Sequence, residues 1–109
     1  MIEGPLFVVE GHDVNAFRDS TALEGIVEAY DIDALRCFRA DGTELRLGAS
    51  GWHAAVKDEV IGRYPDELQA ILRHCLTAVP ARRRSLTDEE IRNASLEQLV
   101  DAMVKLGLR

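Results

Sequence analysis

Long apolar segments are absent from this sequence. No run of residues approaches the roughly 20 apolar positions that a helix needs to cross a bilayer. Residues 1–5 also lack the basic flank and the apolar stretch of a secretory signal peptide. We therefore expect a cytoplasmic protein that has no contact with a membrane.

Cysteine and proline are scarce, with two cysteines and three prolines among 109 residues. Cys37 and Cys75 are far apart and each lies in an apolar stretch, so we expect buried free thiols. The chain has 47% hydrophobic and 29% charged residues, which is typical of a folded protein. Its length fits one core, and we predict a single domain over residues 1–109.

Motifs for catalysis and for cofactor binding are also missing. The three histidines, His12, His53 and His74, have no second metal ligand at a recognised spacing. Neither glycine-rich phosphate loop, G-x-G-x-x-G or G-x-x-x-x-G-K-[ST], occurs. We expect no enzyme activity, no metal and no cofactor. A nucleophilic pairing of His53 with Cys37 or Cys75 across elements stays open as an alternative.

Basic residues cluster only at residues 82–84, which are all arginine. Three arginines in an acidic protein fall short of the footprint of a nucleic-acid-binding surface. We expect residues 81–85 to form a solvated linker, and we expect no nucleic-acid partner.

What the sequence does have is an excess of negative charge. The formal net charge is −6, and residues 13–33 contain six acidic side chains against the single basic Arg18. Such a field repels phosphate backbones and steers a basic partner inward. The alternative is a solvated face whose charge only keeps the protein soluble.

Three regions have the pattern of β-strands. Residues 6–9 are a short apolar run, and whether residues 6–18 form one strand or two is open. Asp41-Gly42 separates two strand-like runs and predicts a two-residue hairpin loop, which would pair Phe38 with Leu45 on a buried face. Residues 52–60 predict a further strand, with a small helix as the alternative.

Helix signals occupy much of the remaining chain. A capping box from Thr21 to Glu24 predicts a helix that continues through Tyr30. Residues 65–79 predict a long helix that ends before Pro80. Capping boxes at residues 87–90 and 95–98 predict two short helices within residues 87–106.

These elements together predict an α+β fold. We expect a small antiparallel sheet of about three to four strands, covered on one face by helices and followed by a pair of helices. The strand order is open. The apolar stripe of the last helix pair, which includes Leu99 and Met103, must be covered by this domain or by a partner.

Five short stretches of the sequence form a recognisable series. They are D-V-N-A-F at residues 13–17, L-E-G-I-V-E at 23–28, Y-D-I at 30–32, F-R-A-D-G at 38–42 and P-D-E-L at 65–68. The series resembles small bacterial immunity proteins from polymorphic or contact-dependent toxin systems. The resemblance covers residues 13–79 and consists of structural motifs, so it transfers no functional residue. It implies a protein that binds a cognate toxin domain and blocks its active site.

An acidic surface would suit a basic toxin, because complementary potentials accelerate encounter and favour the right partner. Trp52, the sole tryptophan, is expected either as a core anchor or as an interface hot spot. The candidate partner-binding residues are an acidic ridge of Glu24, Glu28, Asp31 and Asp33, and a second patch of Trp52, Asp58 and Glu59. The alternative function is a structural or regulatory module that forms a homodimer through its C-terminal helices.

Overall fold

The computed structural model describes residues 1–78 and 86–109, which form an antiparallel sheet with helices packed against it. The strands are β1 (Glu3–Glu10), β2 (Asp13–Asp19), β3 (Arg36–Arg39), β4 (Thr43–Ser50) and β5 (His53–Arg63), in the spatial order β2-β1-β3-β4-β5. Between β2 and β3 lie helix α1 (Ser20–Glu24) and a 3-10 helix (Ala29–Ala34). Helices α2 (Pro65–Ala78), α3 (Asp88–Asn93) and α4 (Leu96–Leu106) follow β5.

The predicted α+β class is confirmed, and the sheet has five strands where about three to four were expected. The additional strand comes from the region whose boundary was open. Residues 3–19 fold into two antiparallel strands, β1 and β2, that turn at Gly11 and His12. Gly11 has a φ of 59°, a left-handed conformation that glycine adopts without a steric penalty.

Helices cover one face of the sheet as predicted, and the other face is apolar as well. Phe7 and Val9 of β1 belong to one buried cluster, and Leu6 and Val8 belong to another. Successive residues of a strand point to opposite faces, and the continuous apolar run of β1 therefore creates two faces that need cover. Helices α2, α3 and α4 cover the first face, whereas α1 covers the second through Leu23.

The hairpin between β3 and β4 forms where it was predicted, but its register differs by one residue. Phe38 lies opposite Glu44, not opposite Leu45. The amide of Gly42 donates to the carbonyl of Arg39 at 3.0 Å, and Gly42 has a φ of 89°. This geometry is that of a three-residue loop, in which a turn is followed by a left-handed residue.

A one-residue shift moves every side chain of a strand to the other face. Leu45 is consequently buried with Leu23 beneath α1, away from Phe38. Glu44 takes the face that was predicted for Leu45, where its carboxylate pairs with the Arg36 guanidinium at 2.9 Å.

Helix α1 begins earlier and ends earlier than predicted. Its N-cap is Asp19, whose carboxylate accepts from the amide of Ala22 at 2.8 Å, so the predicted capping box at Thr21 is wrong. The Ser20 hydroxyl accepts from the amide of Ile2 at 2.7 Å and fixes the helix start directly after β2. The helix ends at Glu24.

The two helices after residue 85 are confirmed, and each begins with its predicted capping box. Ile91 of α3 and both Leu99 and Met103 of α4 are buried in the cluster that contains α2. The chain then returns to the sheet, where the amide of Arg109 donates to the carbonyl of Ala16 at 2.9 Å. The predicted end of the long helix at residues 79–80 and the predicted linker 81–85 lie outside the described residues.

Candidate functional site

The segment that follows α1 joins the edge of the sheet. The amide of Ala54 donates to the carbonyl of Val27, and the amide of Ala29 donates to the carbonyl of Trp52, both at 2.9 Å. Glu28 lies opposite His53 in an isolated antiparallel bridge. These bonds use backbone groups that a helix through Tyr30 would need, which explains why the predicted helix stops. They also bring the tip of the β4–β5 hairpin beside the acidic segment.

Large apolar side chains are exposed where these two segments meet. Trp52 is 87% exposed, Tyr30 is 78% exposed and Ile26 is 48% exposed. The expectation that Trp52 anchors the core is therefore wrong, since its side chain stands in solvent. We call the surface formed by Ile26, Glu28, Tyr30, Asp31 and Trp52 the acidic-aromatic surface.

The polar groups of this surface interact with one another. A hydrogen bond with Glu28 raises the pKa of Tyr30, and the negative charges of Glu28 and Asp31 raise it further. The phenol therefore stays protonated and can donate to a carboxylate. Its ring, its hydroxyl and two carboxylates together form one recognition element on the surface.

A cavity of about 230 Å³ opens beside this element, between the β1–β2 pair and residues 26–35. Its apolar lining includes Val8, Phe17 and Val27. Its acidic lining consists of Glu10, Glu28 and Asp31, and Arg109 is the one basic residue in contact with it. The lining of the cavity is therefore mostly polar and carries a net negative charge.

The structure divides the predicted acidic ridge into two parts. Glu24 is half-buried, and its carboxylate accepts a hydrogen bond from the amide of Val56 on β5 at 2.8 Å. Glu28, Asp31 and Asp33 lie on or next to the 3-10 helix and are exposed. Glu24 thus stabilises the sheet edge, whereas the other three carboxylates face solvent.

The predicted second patch is spread along β5. Trp52 lies at the hairpin tip, and Asp58 and Glu59 lie in the middle of the strand, where the pairing with β4 is irregular. Glu59 pairs with Arg46 of β4 at 3.0 Å. Asp58 is exposed. The structure therefore places the backbone of Trp52 beside Ala29, apart from Asp58 and Glu59.

A pair of histidines that sequence spacing could not reveal lies on the helical face. The rings of His12, in the β1–β2 turn, and His74, on α2, have their centroids 4.5 Å apart. Within residues 1–78 and 86–109, no group of three or more His, Cys, Asp or Glu side chains is placed to hold a metal ion.

The arrangement of Cys37 does not favour the alternative of a nucleophilic pair. Burial raises the pKa of its thiol to about 12, so the thiol is protonated at neutral pH. Cys37 lies opposite Leu45 on β4, whereas His53 lies opposite Ser50 on the same strand. At the rise of a β-strand, those two positions are about 17 Å apart.

Arg36 forms a polar network that the sequence did not reveal. Its guanidinium bonds to Glu44 and to Glu67 of α2, which raises the pKa of Arg36 and lowers that of Glu67. It also lies over the rings of Phe38 and Tyr64, with its central carbon 4.7 Å and 5.6 Å from their centroids. This network ties α2 to the sheet on the face opposite the cavity.

Comparison with known proteins adds no relative to this picture: no protein-family model, curated protein or solved structure matches the chain. Among the described helices, none is long and apolar enough to cross a membrane. The inference of function therefore rests on the acidic-aromatic surface and the cavity beside it.

Proposed function

We propose that this protein is a cytoplasmic immunity protein that binds a cognate bacterial toxin domain and neutralises it by covering its active site. The single observation that carries the proposal is that the backbone of the exposed Trp52 is joined to Ala29, which lies between the exposed Glu28 and Tyr30. Tryptophan and tyrosine are enriched at the energetic centre of protein interfaces, and polar residues form the rim around it.

The aromatic side chains supply the affinity in this proposal. Burial of Trp52 and Tyr30 against a partner would remove about 300 Å² of surface from water, worth about 7 kcal/mol before the cost of association. A screened carboxylate at the rim contributes only about 0.2–1 kcal/mol. The tryptophan and tyrosine therefore dominate binding, and the acidic residues set the encounter rate and the choice of partner.

The charge of the chain defines the expected partner. A net charge of −6 and three exposed acids near the surface, Glu28, Asp31 and Asp33, complement a basic toxin domain. Asp58 is proposed to contact the outer part of the same partner, together with Glu59, whose charge is partly offset by Arg46. The same negative charge repels a partner whose surface is acidic.

A protection assay tests the proposal. If a neighbouring gene encodes a secreted protein with a variable C-terminal domain, that domain would be expressed in bacteria with and without this chain. We expect the chain to restore growth and to purify in a complex with the domain. Absence of such a gene, or failure to protect at matched expression, would count against the proposal.

A variant pair makes the assay specific. Trp52→Ala combined with Tyr30→Ala should lose protection while keeping the fold, because both side chains are exposed. The matched control is Glu89→Gln with Glu97→Gln, which removes two exposed acids from α3 and α4. Protection by the control and not by the aromatic variant supports the proposed surface.

The alternative of self-association through the C-terminal helices has lost the observation that favoured it. That alternative required an apolar stripe without a cover inside the chain. Leu99 and Met103 are 1% and 5% exposed, buried within the cluster that contains α2. We therefore take toxin binding as the proposed function.

A further inference from the structure

We infer that the cavity beside Tyr30 receives a long cationic side chain, arginine or lysine, from the partner protein. The inference rests on the proposed function for the identity of the partner, and it adds the chemistry by which the partner is held. It is carried by the volume of the cavity, by the acidic residues that line it and by the exposed Tyr30 and Ile26 in the same lining.

The volume favours a single side chain over a small-molecule ligand. Pockets for drug-sized ligands span about 300–1,000 Å³, whereas this cavity measures about 230 Å³. A cavity of about 150 Å³ holds a benzene molecule. The space is therefore sufficient for one extended side chain and small for a cofactor.

The lining matches the two parts of such a side chain. Arginine and lysine have an apolar stem and a charged end, and they bury the stem while the end seeks polar partners. Ile26, which is 48% exposed, offers the stem apolar surface, whereas Val8 and Phe17 in the same lining are almost fully buried. Glu28 and Asp31 offer the charged end two carboxylates, and among the described ion pairs neither has a basic partner.

Tyr30 adds a contact that a neutral guest would not gain. Tyr30 is part of the lining, and a cation over the face of its ring would be attracted by the ring quadrupole. Arginine can in addition donate from its planar fork to two carboxylates at once. The site therefore selects for charge as well as for length.

Arg109 is the one basic residue in the lining, and its charge repels a bound cation. Its charge offsets one of the three acids, Glu10, Glu28 and Asp31, that line the cavity. Its backbone is held by β2, because the carbonyl of Arg109 accepts from the amide of Arg18 at 2.9 Å. Replacement of the Arg109 side chain should therefore leave the fold intact and strengthen the binding of a cation.

The test uses N-acetyl-argininamide as the probe, with the neutral N-acetyl-citrullinamide as its near-isosteric control. Each is titrated into the ¹⁵N-labelled full chain, and the amide shifts of Val8, Asn15, Val27 and Asp31 are followed. We expect saturable shifts from argininamide with a dissociation constant in the millimolar range, and at least about fivefold weaker binding of citrullinamide. Absence of saturation, or equal binding of the two probes, would overturn the inference.

Charge-changing variants locate the binding site. Glu28→Gln with Asp31→Asn should weaken argininamide binding by at least about fivefold, and Arg109→Gln should strengthen it by about twofold. Glu89→Gln with Glu97→Gln changes the net charge equally on the opposite face and should leave binding unchanged. An equal loss in that control would show only a general effect of net charge and would sink the proposed site.

The titration and the protection assay can fail separately. If the chain protects against the toxin domain while argininamide does not bind, the cavity inference is wrong and the proposed function stands. If argininamide binds with the expected dependence on charge while protection is absent, the function is wrong and the cation site stands.

Discussion

The amide of Ala29 donates a hydrogen bond to the carbonyl of Trp52 at 2.9 Å. This bond, together with the one from Ala54 to Val27, fixes the hairpin tip against the start of the 3-10 helix. The tip and the helix are distant in sequence, and their contact assembles the acidic-aromatic surface from two separate elements. The stability of this edge therefore determines whether the surface exists.

Loss of the Glu24 carboxylate should destabilise the edge of the sheet. Its hydrogen bond from the Val56 amide is charge-assisted and half-buried, so Glu24→Ala should lower the free energy of unfolding by about 1–2 kcal/mol. Glu24→Gln retains an acceptor oxygen and should recover most of that loss. Urea unfolding measures the effect, with the exposed Asp33→Ala as a control that should stay within about 0.5 kcal/mol of the parent. Equal stability of Glu24→Ala and the parent would refute a role of Glu24 in the edge.

Two glycines with positive φ allow a matched test of backbone fit. Gly11→Ala should cost about 1–2 kcal/mol, because its φ is 59° but no atom lies within 4 Å of the new methyl group. At Gly42, with a φ of 89°, the methyl group would lie 2.4 Å from the Cα of Pro65. We therefore expect Gly42→Ala to cost at least about 1 kcal/mol more. Equal losses in urea unfolding would contradict the close approach of the hairpin to α2.

The turn carboxylate of Asp41 should make stability depend on pH. The Thr43 amide donates to this carboxylate at 3.0 Å, and this bond is the main reason that the pKa of Asp41 lies below its ordinary 3.8. A lowered folded-state pKa contributes stability above about pH 4 and loses it as the pH falls through the folded-state value. Asp41→Asn should accordingly be less stable than the parent at about pH 7, by less than about 1 kcal/mol because the group is exposed. The difference should shrink at about pH 3, and a difference that grows there would contradict this account.

The Cys37 thiol should react only when the protein opens. The side chain is fully buried and its pKa is raised to about 12, so the reactive thiolate is scarce in the native state. We expect alkylation at about pH 8 to be at least about 100-fold slower than in an unfolded control. Peptide mapping by mass spectrometry distinguishes Cys37 from Cys75 without any substitution. Fast native labelling of Cys37 would revive the alternative of a nucleophilic cysteine.

The sequence correctly predicted where a helix begins when the residues at that position alone determine its start. The capping boxes at Thr87 and Ser95 start α3 and α4 as expected, because each box satisfies its own amides. Pro65 begins α2 for the same local reason. The box at Thr21 has the same sequence pattern, but Asp19 and the bond from Ile2 to Ser20 start the helix sooner. A tertiary contact at the edge of β1 thus overrode a local signal.

The candidate site was predictable in composition but not in assembly. The acidic excess of residues 13–33 and the single tryptophan were visible in the sequence, whereas the contact of Trp52 with Ala29 depends on how the chain folds. Glu24 and Glu28 looked equivalent on a predicted helix. The pairing of residues 27–29 with β5 gave them different environments, one bonded to the sheet and one exposed.

The central claim, that Trp52 anchors a basic partner, is tested most directly by calorimetric titration of the proposed toxin domain with the parent chain and with Trp52→Ala. The account predicts at least about a tenfold loss of affinity for the variant, since an exposed tryptophan at an interface centre is worth about 2 kcal/mol or more. An affinity within about twofold of the parent, for a variant that remains folded, would contradict it.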